Sequence, residues 1–425
     1  MCRQVIGSSR AGLWLVPPGS QPSDPSPSVP PPPPGAPEAI LGQAESTCGR
    51  GTQDQFDSDH LNLRSNRIRY NGALALSEAL KINSTLTTLN LMSNKISYNG
   101  ALVLSEALKI NSTLSTLDLS SNEIGHDGAQ AMAEAIKTDS TLTTLSLGDN
   151  SVGVDGVQVL AEALKTTSTL TTLELSSNKI GDDGAQVLAE ALKANSTLTT
   201  LNLRSNEIGY DGAQVLAEAL KSNSTLTSLT LEDYAIGGKG AKALAEALKT
   251  NSTLITLGLG SNDIRDNKAE ALSEALKTNS ALTTLDVGNN SIGFKGTLEL
   301  ILSCKINSTL TALELQDNLV RDNAVLAPSE AFKTNSTLTT LELWRSEIRD
   351  SGAQALAKAL KTNSILTAWN LGSNLIRGNG ARALAKALET NLALLNLDQN
   401  SIGDNGAQML SEALKRNPTL TILEL

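Results

Sequence analysis

Side chains suited to catalysis or metal binding are scarce in this sequence. Its 425 residues include two histidines, His60 and His126, and three cysteines, Cys2, Cys48 and Cys304. The cysteines lack the paired spacing of a zinc site or a disulfide framework, and no catalytic triad can be built around the histidines. We therefore expect a protein that is not an enzyme and that needs no metal and no cofactor.

Long apolar runs are missing as well. The N-terminal run from Ala11 to Val16 ends at Pro17 and Pro18, so it is too short for a convincing signal sequence and far too short to span a bilayer. No later stretch reaches the required length. Because cysteines are also few, a reducing compartment fits best, and we predict a cytoplasmic protein without a membrane partner.

Basic residues are fewer than acidic ones in this sequence. The chain has 34 basic and 44 acidic residues, and the first 56 residues carry three of the former and four of the latter, which leaves a net charge of −9 on the rest. A surface of this sign repels phosphate backbones. Nucleic acid is therefore excluded as an expected partner.

Proline is nearly absent outside the N-terminal segment. Eleven of the 13 prolines lie between Pro17 and Pro37, and the surrounding residues have no hydrophobic pattern to bury. We predict that residues 1–56 form a disordered, extended arm with local polyproline II character. The arm is either a spacer or a docking motif for SH3, WW or EVH1 domains, although no arginine or lysine lies between Arg10 and Arg50 to orient an SH3 domain.

The rest of the chain repeats one block of 28 residues, which we call a coil. The type coil, LTTLNLRSNEIGYDGAQVLAEALKSNST, runs from Leu198 to Thr225. The leucine that opens each coil recurs at a step of 28, at Leu86, Leu114, Leu142, Leu170, Leu198, Leu226, Leu254, Leu282, Leu310, Leu338 and Leu366, and then at Leu392 after a step of 26. A fixed period of this size predicts a solenoid.

The first half of each coil predicts a short strand. Leu201 and Leu203 share one face of it and point inward, while Thr200, Asn202 and Arg204 point outward. The asparagine that follows, Asn206 in the type coil, recurs in most coils. Its amide can bond backbone groups that leave the strand without a ladder partner.

The second half of each coil predicts a helix that begins near Gly212. Apolar residues at Ala213, Leu216, Ala217 and Leu220 have helical spacing and form a single buried face. Asp211 is expected to cap its first turn together with Gln214. Asn223 is expected to stop the helix in the left-handed conformation.

Strands that lie closer together than the helices behind them must curve the stack. With about 4.8 Å between strands and about 9 Å between helices, each coil turns by roughly 20–25°. We therefore predict an α/β solenoid over residues 57–425, a horseshoe of about 13 coils with a parallel β-sheet on the concave face and α-helices on the convex face.

These residues resemble the leucine-rich repeat proteins of the ribonuclease-inhibitor type. The LxxLxLxxN run matches at Leu170, Leu173, Leu175 and Asn178, and so does the helix with its Gly-Ala start and Leu-Ala-Glu-Ala-Leu core. The resemblance covers residues 58–425 and extends to the repeat region of NOD-like receptors. It implies a sensor or adaptor that binds another macromolecule, a protein of unknown identity, through the concave face. The alternative is a GTPase-activating regulator similar to the Ran GTPase-activating proteins.

One position on the outward strand surface departs from an otherwise small and polar pattern. Binding hot spots favour Trp, Tyr and Arg, and Trp344 stands beside Arg345 at the end of a strand motif. The predicted partner-binding site consists of these two residues and of Glu342, Glu314, Gln316 and Asp317. The alternative for Trp344 is an exposed ring without a partner or one that folds over the sheet edge.

A weaker patch is predicted at Glu232, Asp233 and Tyr234, where Tyr234 replaces the turn asparagine. Ser346 replaces the same asparagine beside Trp344, whereas Trp369 replaces a core leucine and is expected to pack inside. Irregularities of this kind concentrate at functional or decaying positions.

Three further expectations concern the helix ends and the end of the chain. Asn-Ser-Thr occurs at seven positions, including Asn111 and Asn223, and we interpret these asparagines as helix stops and not as glycosylation sites. Pro328, Ala324 and Cys304 replace regular residues in the helices of two adjacent coils, and a local bend is expected there. The chain stops at Leu425 after a strand motif without a capping repeat, so we expect self-association or fraying at this edge.

Overall fold

A computed structural model describes residues 59–232, 235–326, 329–388, 392–417 and 419–425. The predicted N-terminal arm, residues 1–56, lies outside these residues. The described chain alternates short strands with helices from its first coil to its last. Its 14 strands alternate with 13 helical layers, which confirms the predicted α/β solenoid.

The strands form one parallel sheet in which spatial order equals sequence order. Leu201 pairs with Leu173 and Leu229, each one coil away, and the step between partners stays at 28 until Trp369 pairs with Leu395 after 26. The strands are β1 His60–Asn62, β2 Thr88–Asn90, β3 Thr116–Asp118, β4 Thr144–Ser146, β5 Thr172–Glu174, β6 Thr200–Asn202, β7 Ser228–Thr230, β8 Thr256–Gly258, β9 Thr284–Asp286, β10 Ala312–Glu314, β11 Thr340–Glu342, β12 Ala368–Asn370, β13 Leu394–Asn396 and β14 Ile422–Glu424.

One helical layer follows each strand except the last. The helices are α1 Tyr70–Leu80, α2 Ser97–Leu108, α3 Gly125–Ile136, α4 Gly153–Leu164, α5 Gly181–Ala194, α6 Tyr210–Ser222, α7 Gly237–Leu248, α8 Asp266–Leu276, α9 Phe294–Cys304, α10 Arg321–Leu326, α11 Ser329–Thr334, α12 Asp350–Leu360, α13 Gly378–Ala387 and α14 Gly403–Leu414. The short helices α10 and α11 share one coil. The bend predicted there depends on Pro328, which lies outside the described residues.

The core lies between the sheet and the helices, as the leucine pattern predicts. Leu201 and Leu203 of the strand and Leu216 and Leu220 of the helix are each at most 1% exposed. Burying one leucine side chain contributes roughly 2 kcal/mol, and the pattern recurs in most of the described coils, for example at Leu173, Leu175, Leu188 and Leu192. Trp369 is 1% exposed in the same layer, which confirms that it packs inside.

A ladder of asparagine side chains runs along the turns after the strands. Asn178 Oδ1 accepts hydrogen bonds from the N–H groups of Asn150 and Val152 at 3.0 and 3.1 Å, while Asn178 Nδ2 donates to the carbonyls of Leu147 and Leu175 at 2.9 Å. One amide thus bonds backbone groups of two coils. The expectation for this position is confirmed, and its buried amide is held on both sides.

The predicted helix start is wrong in its capping residue. Helix α6 begins at Tyr210, so Asp211 already lies inside the first turn and makes no capping bond. Instead, Asp182 Oδ1 of the preceding coil accepts from the N–H groups of Gly209 and Gly212 at 2.7 and 2.9 Å. The cap therefore comes from the neighbouring coil, which a local sequence motif cannot reveal.

The predicted helix stop is also wrong in conformation. Asn223 has φ −74° and ψ 131°, which is extended and not left-handed. Its Oδ1 accepts from the N–H of Leu226 at 2.8 Å, and its Nδ2 donates to the carbonyl of Leu192 in the preceding coil at 2.7 Å. The asparagine still ends the helix, but through side-chain hydrogen bonds.

These contacts bear on the Asn-Ser-Thr sequences. Six of their asparagines are at most 8% exposed and donate from Nδ2 to a carbonyl of the preceding coil: Asn111, Asn195, Asn223, Asn251, Asn307 and Asn335. A glycan would have to attach to that buried nitrogen. This supports the structural interpretation of these six residues.

Candidate interaction site on the strand face

We call the uncovered surface of the sheet the strand face. It consists of the outward-pointing side chains of each strand, together with those of the two residues that come after the core leucine next to that strand. Thr200 and Asn202 lie on it, whereas Leu201 between them is fully buried. In the described residues its carboxylates outnumber its arginines. The carboxylates are Asp118, Asp149, Glu174, Glu232, Asp286, Glu314, Asp317, Glu342, Asp398 and Glu424, and the arginines are Arg64, Arg204 and Arg345.

Three of these carboxylates occupy the same position on neighbouring strands. Glu314 of β10 is in register with Asp286 of β9 and Glu342 of β11. Adjacent strands lie about 4.8 Å apart, so the three side chains form a continuous row. We call Asp286, Glu314 and Glu342 the acidic run.

The acidic run is partly buried, and this changes its titration. Desolvation, followed by repulsion from Asp286 and Glu342, raises the pKa of Glu314 to about 7. Desolvation also raises the pKa of Asp286 and of Glu342, each against hydrogen bonds that favour the charged form. Glu314 therefore holds its proton more tightly than an exposed glutamate does, and a cation placed beside it would favour its ionised form.

Gln316 lies against one end of the acidic run. Its Nε2 donates to Asp286 Oδ1 at 3.2 Å, and its Oε1 is buried without a hydrogen-bond partner among the described residues. A Cβ at Gly288 would come within 2.5 Å of Nε2. Gly288 thus provides the space in which the Gln316 side chain crosses the strand face.

Trp344 and Arg345 form a stacked pair beside the acidic run. The guanidinium carbon of Arg345 lies 5.1 Å from the centroid of the Trp344 ring, within the range of a cation–π contact. Arg345 Nη1 also lies 3.0 Å from Asp317 Oδ1. Burial raises the pKa of Asp317, while Arg345 opposes this rise. Arg345 is thus held between an aromatic face and a carboxylate.

The indole of Trp344 is partly buried and leans towards the next coil. A Cβ on Gly372 would lie 2.9 Å from Trp344 Cδ1, so the ring occupies the space above this glycine. Ser346 lies nearby and is fully buried; its Oγ donates to the Trp344 carbonyl at 3.3 Å. A serine cannot span the distances bonded by the ladder asparagines, so the ladder is interrupted beneath Trp344.

The weaker patch is described only in part, because Asp233 and Tyr234 lie outside the described residues. Glu232 Oε2 lies 3.2 Å from Arg204 Nη1 of the preceding coil. Burial raises the pKa of Glu232, and Arg204 lowers it. A Cβ on Gly260 would lie 3.3 Å from both Glu232 Cγ and Asp286 Oδ2. Glu232 and the acidic run therefore flank the same glycine and form one continuous acidic surface.

The structure brings together all six residues predicted for the main site, on β10, β11 and the turns that follow them. Sequence reasoning missed the contributions of Asp286, Gly288 and Gly372. The two glycines make room for the side chains of Gln316 and Trp344. The signal that could have found them is the 28-residue register, which places each glycine beside the larger side chain of the next or preceding coil.

Residues suited to other chemistry are dispersed. In the described residues no group of three or more His, Cys, Asp or Glu is arranged to hold a metal ion. His60 Nδ1 lies 2.8 Å from Asp59 Oδ1, and His126 Nε2 lies 3.5 Å from Asp127 Oδ1, both at exposed positions. None of the described helices is long and apolar enough to cross a bilayer.

Two family models match the chain. One, described as a leucine rich repeat, matches residues 60–77, 83–105, 111–133, 334–357, 362–385 and 390–411. The other, described as the TMOD/LMOD leucine-rich domain, matches residues 149–239. No curated protein matches the chain.

Several solved structures are similar. The structure of the Rad7 and Elc1 complex in yeast is 20% identical, with a TM-score of 0.51, and the match covers 82% of this chain and 81% of that chain. An internalin from Listeria monocytogenes is 19% identical, with a TM-score of 0.45, over 92% and 93% of the two chains. The leiomodin-1 actin-binding site 2 is 23% identical, with a TM-score of 0.32, over 36% and 88%.

The identities are low, and the likeness to the yeast complex concerns the fold alone. The matched segments nevertheless fall on the same strand, turn and helix pattern that the in-register sheet displays. The coils of this chain are leucine-rich repeats, stacked as an α/β solenoid.

Proposed function

We propose that this chain is a non-catalytic scaffold that binds a partner protein through the strand face. One observation carries the proposal: Trp344, Arg345 and the acidic run lie together on the side of the sheet that the helices leave uncovered. The core of the fold does not require an aromatic ring there. In the equivalent position the neighbouring coils have Gln316 and Gly372.

The chemistry of the site indicates which partner surface would fit. Trp344 offers a partly buried aromatic face, and tryptophan is frequent among residues that dominate binding energy. The acidic run beside it favours a lysine or arginine of the partner, and such a cation would relieve the repulsion around Glu314. The partner we expect is therefore a protein that presents a positive side chain next to an apolar one.

Proximity labelling with the full chain tests this proposal. We expect Trp344→Ala and Arg345→Ala to lose a common set of labelled proteins, because truncating a hot-spot residue costs about 2 kcal/mol or more of binding free energy. Met92→Ala is the matched control, since Met92 occupies the position of Trp344 in an earlier coil. If both site variants keep every partner that the control keeps, the site is wrong.

The finer predictions belong to the same proposal. A ribonuclease-inhibitor type of repeat, a likeness to NOD-like receptors, a cytoplasmic location and self-association at the C-terminal edge all stay predictions. So does the alternative of a GTPase-activating regulator. Stimulation of GTP hydrolysis by one of several small GTPases would favour that alternative, and no stimulation by any of them would remove it.

A further inference from the structure

The outer face of the helices carries a regular pattern of ion pairs. In nine coils a glutamate pairs with the lysine three residues later: Glu78–Lys81, Glu106–Lys109, Glu134–Lys137, Glu162–Lys165, Glu190–Lys193, Glu218–Lys221, Glu246–Lys249, Glu274–Lys277 and Glu412–Lys415. Pairs of this spacing stabilise a helix by roughly 0.2–0.5 kcal/mol each. The regular helix face is thus locally neutral.

Two adjacent coils reverse this pattern. Lys358 of α12 and Lys386 of α13 occupy the position at which the regular coils have glutamate. Lys361 follows Lys358 at the usual lysine position. In the second coil that position is Glu389, which lies outside the described residues, and Arg382 lies one helical turn before Lys386. All four side chains are exposed, and none forms an ion pair within the described residues. We call Lys358, Lys361, Arg382 and Lys386 the basic patch.

Packing does not require this reversal. Beneath the basic patch, Ala353, Leu356 and Leu360 are buried at the same helical spacing as in the regular coils. Like charges three or four residues apart destabilise a helix by amounts similar to the gain from a regular pair. The buried residues thus keep the packing of the regular coils. The like charges above them make the local electrostatic energy less favourable than in those coils.

The dimensions of the basic patch limit what can bind there. Neighbouring helices lie about 9 Å apart, and Arg382 and Lys386 are about 6 Å apart along the helix axis. Beyond α13 the next helix returns to the regular Glu412–Lys415 pair. A long polyanion would extend past the patch onto a chain of net charge −10, whereas a short anionic segment would not.

We propose that the basic patch binds a short acidic segment of a partner protein. Two or three carboxylates in an extended segment match the size of the patch, and the Arg382 guanidinium can bind one of them through two hydrogen bonds. This surface lies on the helices, on the opposite side of the sheet from the strand face. The inference is therefore independent of the function proposed above.

A fluorescent triglutamate peptide tests this inference with the full chain at low salt. The test variant is Lys358→Glu with Lys386→Glu, which restores the regular glutamate–lysine pair at Lys361. The matched control is Lys179→Glu with Lys242→Glu, which changes net charge by the same amount at positions where other coils have glutamate, Glu207 and Glu270. We expect the wild type and the control to bind the peptide and the test variant to bind at least about tenfold more weakly.

Three outcomes would overturn the proposal: no peptide binding by the wild type, equal loss in test and control variants, or unchanged binding by the test variant. Binding to anionic phospholipid vesicles without binding to the peptide would also overturn it. Thermal unfolding confirms that each variant is folded. Arg382→Gln is a second variant, because Gln354 holds that position in the preceding coil, and it should weaken peptide binding as well.

Discussion

The Trp344 ring lies directly above Gly372, so that a Cβ on this glycine would come within 2.9 Å of Trp344 Cδ1. The two residues belong to adjacent coils, and the glycine determines where the indole can rest. Gly372 has an ordinary backbone conformation, because it is not among the residues with positive φ. An alanine there should therefore move the ring without straining the backbone, although the Asn396 side chain, whose Oδ1 would also lie 2.9 Å from the Cβ, must shift as well.

We predict that Gly372→Ala displaces Trp344 and weakens binding at the strand face while the fold stays intact. The measurements are near-ultraviolet circular dichroism, which reports the asymmetry around the indoles, and labelling of the partners lost by Trp344→Ala. Gly148→Ala is the control, since Gly148 holds the same position in an earlier coil and its Cβ would meet the Ser176 side chain and not an aromatic ring. An unchanged spectrum and unchanged labelling would show that the glycine does not position the ring.

We predict a pH dependence of stability that originates at Glu314. Its pKa is about 7 in the folded protein against an ordinary value of 4.5. The folded protein therefore binds this proton more tightly than the unfolded chain, and stability falls as pH rises from 4.5 to about 7. Glu314→Gln should remove this dependence and raise stability at pH 8 by about 1 kcal/mol, a value reduced for solvent screening.

The measurement for Glu314 is the free energy of unfolding in urea between pH 4.5 and pH 8. Glu174→Gln is the matched control, because Glu174 holds the same strand position but pairs in register with Ser146 and Asn202. Its substitution should change the pH dependence less. Equal effects of the two substitutions would mean that the neighbouring carboxylates do not contribute.

We predict that Asp139→Asn stabilises the protein. Asp139 is 8% exposed and occupies the helix-stop position, where Asn111 donates from Nδ2 to the Leu80 carbonyl at 2.8 Å. Asp139 Oδ2 is buried and has no partner among the described residues, since a carboxyl group carries no N–H. An amide would bond the corresponding carbonyl of Leu108 and add about 1 kcal/mol.

The measurement for Asp139 is the midpoint of thermal unfolding. Asp139→Ala should lower it, because Oδ1 accepts hydrogen bonds from the N–H groups of Thr141 and Leu142 at 2.6 and 2.7 Å. A midpoint for Asp139→Asn at or below that of the wild type would contradict the prediction.

We predict that Ser346→Asn repairs the asparagine ladder and stabilises the protein by about 1 kcal/mol. By analogy with Asn178, the new Oδ1 would accept from the N–H groups of residues 318 and 320. Asn178→Ser, which makes the reverse change in a regular coil, should destabilise by a similar amount. Urea unfolding measures both, and a destabilised Ser346→Asn would show that this coil is adapted to its serine.

The repeated leucines were sufficient to predict the strands, the order of the sheet and the buried face of each helix. Those properties depend on side-chain periods within one coil, and Leu201 and Leu216 are buried as the periods require. The prediction of the helix cap was wrong because the donor and the acceptor of the capping hydrogen bond, Gly209 and Asp182, are 27 residues apart in the sequence. Contacts between coils follow from the register, which no local motif contains.

For the candidate site, too, the sequence predicted individual residues but not the contacts between coils. Trp344 was selected because it breaks a column of small residues, and Glu314 because the repeat places it beside Trp344 from the preceding coil. The roles of Gly288 and Gly372 depend on which side chain crosses them from the next coil. The raised pKa of Glu314 depends on burial and on the registered neighbours Asp286 and Glu342, so it required the assembled sheet.

The equal step between paired strands has a consequence for how this protein can change in length. Regular coils present nearly the same leucines and the same turn asparagine to both neighbours, so excising one whole unit rejoins two surfaces that already fit. Duplication of a unit is accommodated for the same reason. The 26-residue step between Trp369 and Leu395 is different, because a copy of it would bring its own shortened turn into any new location.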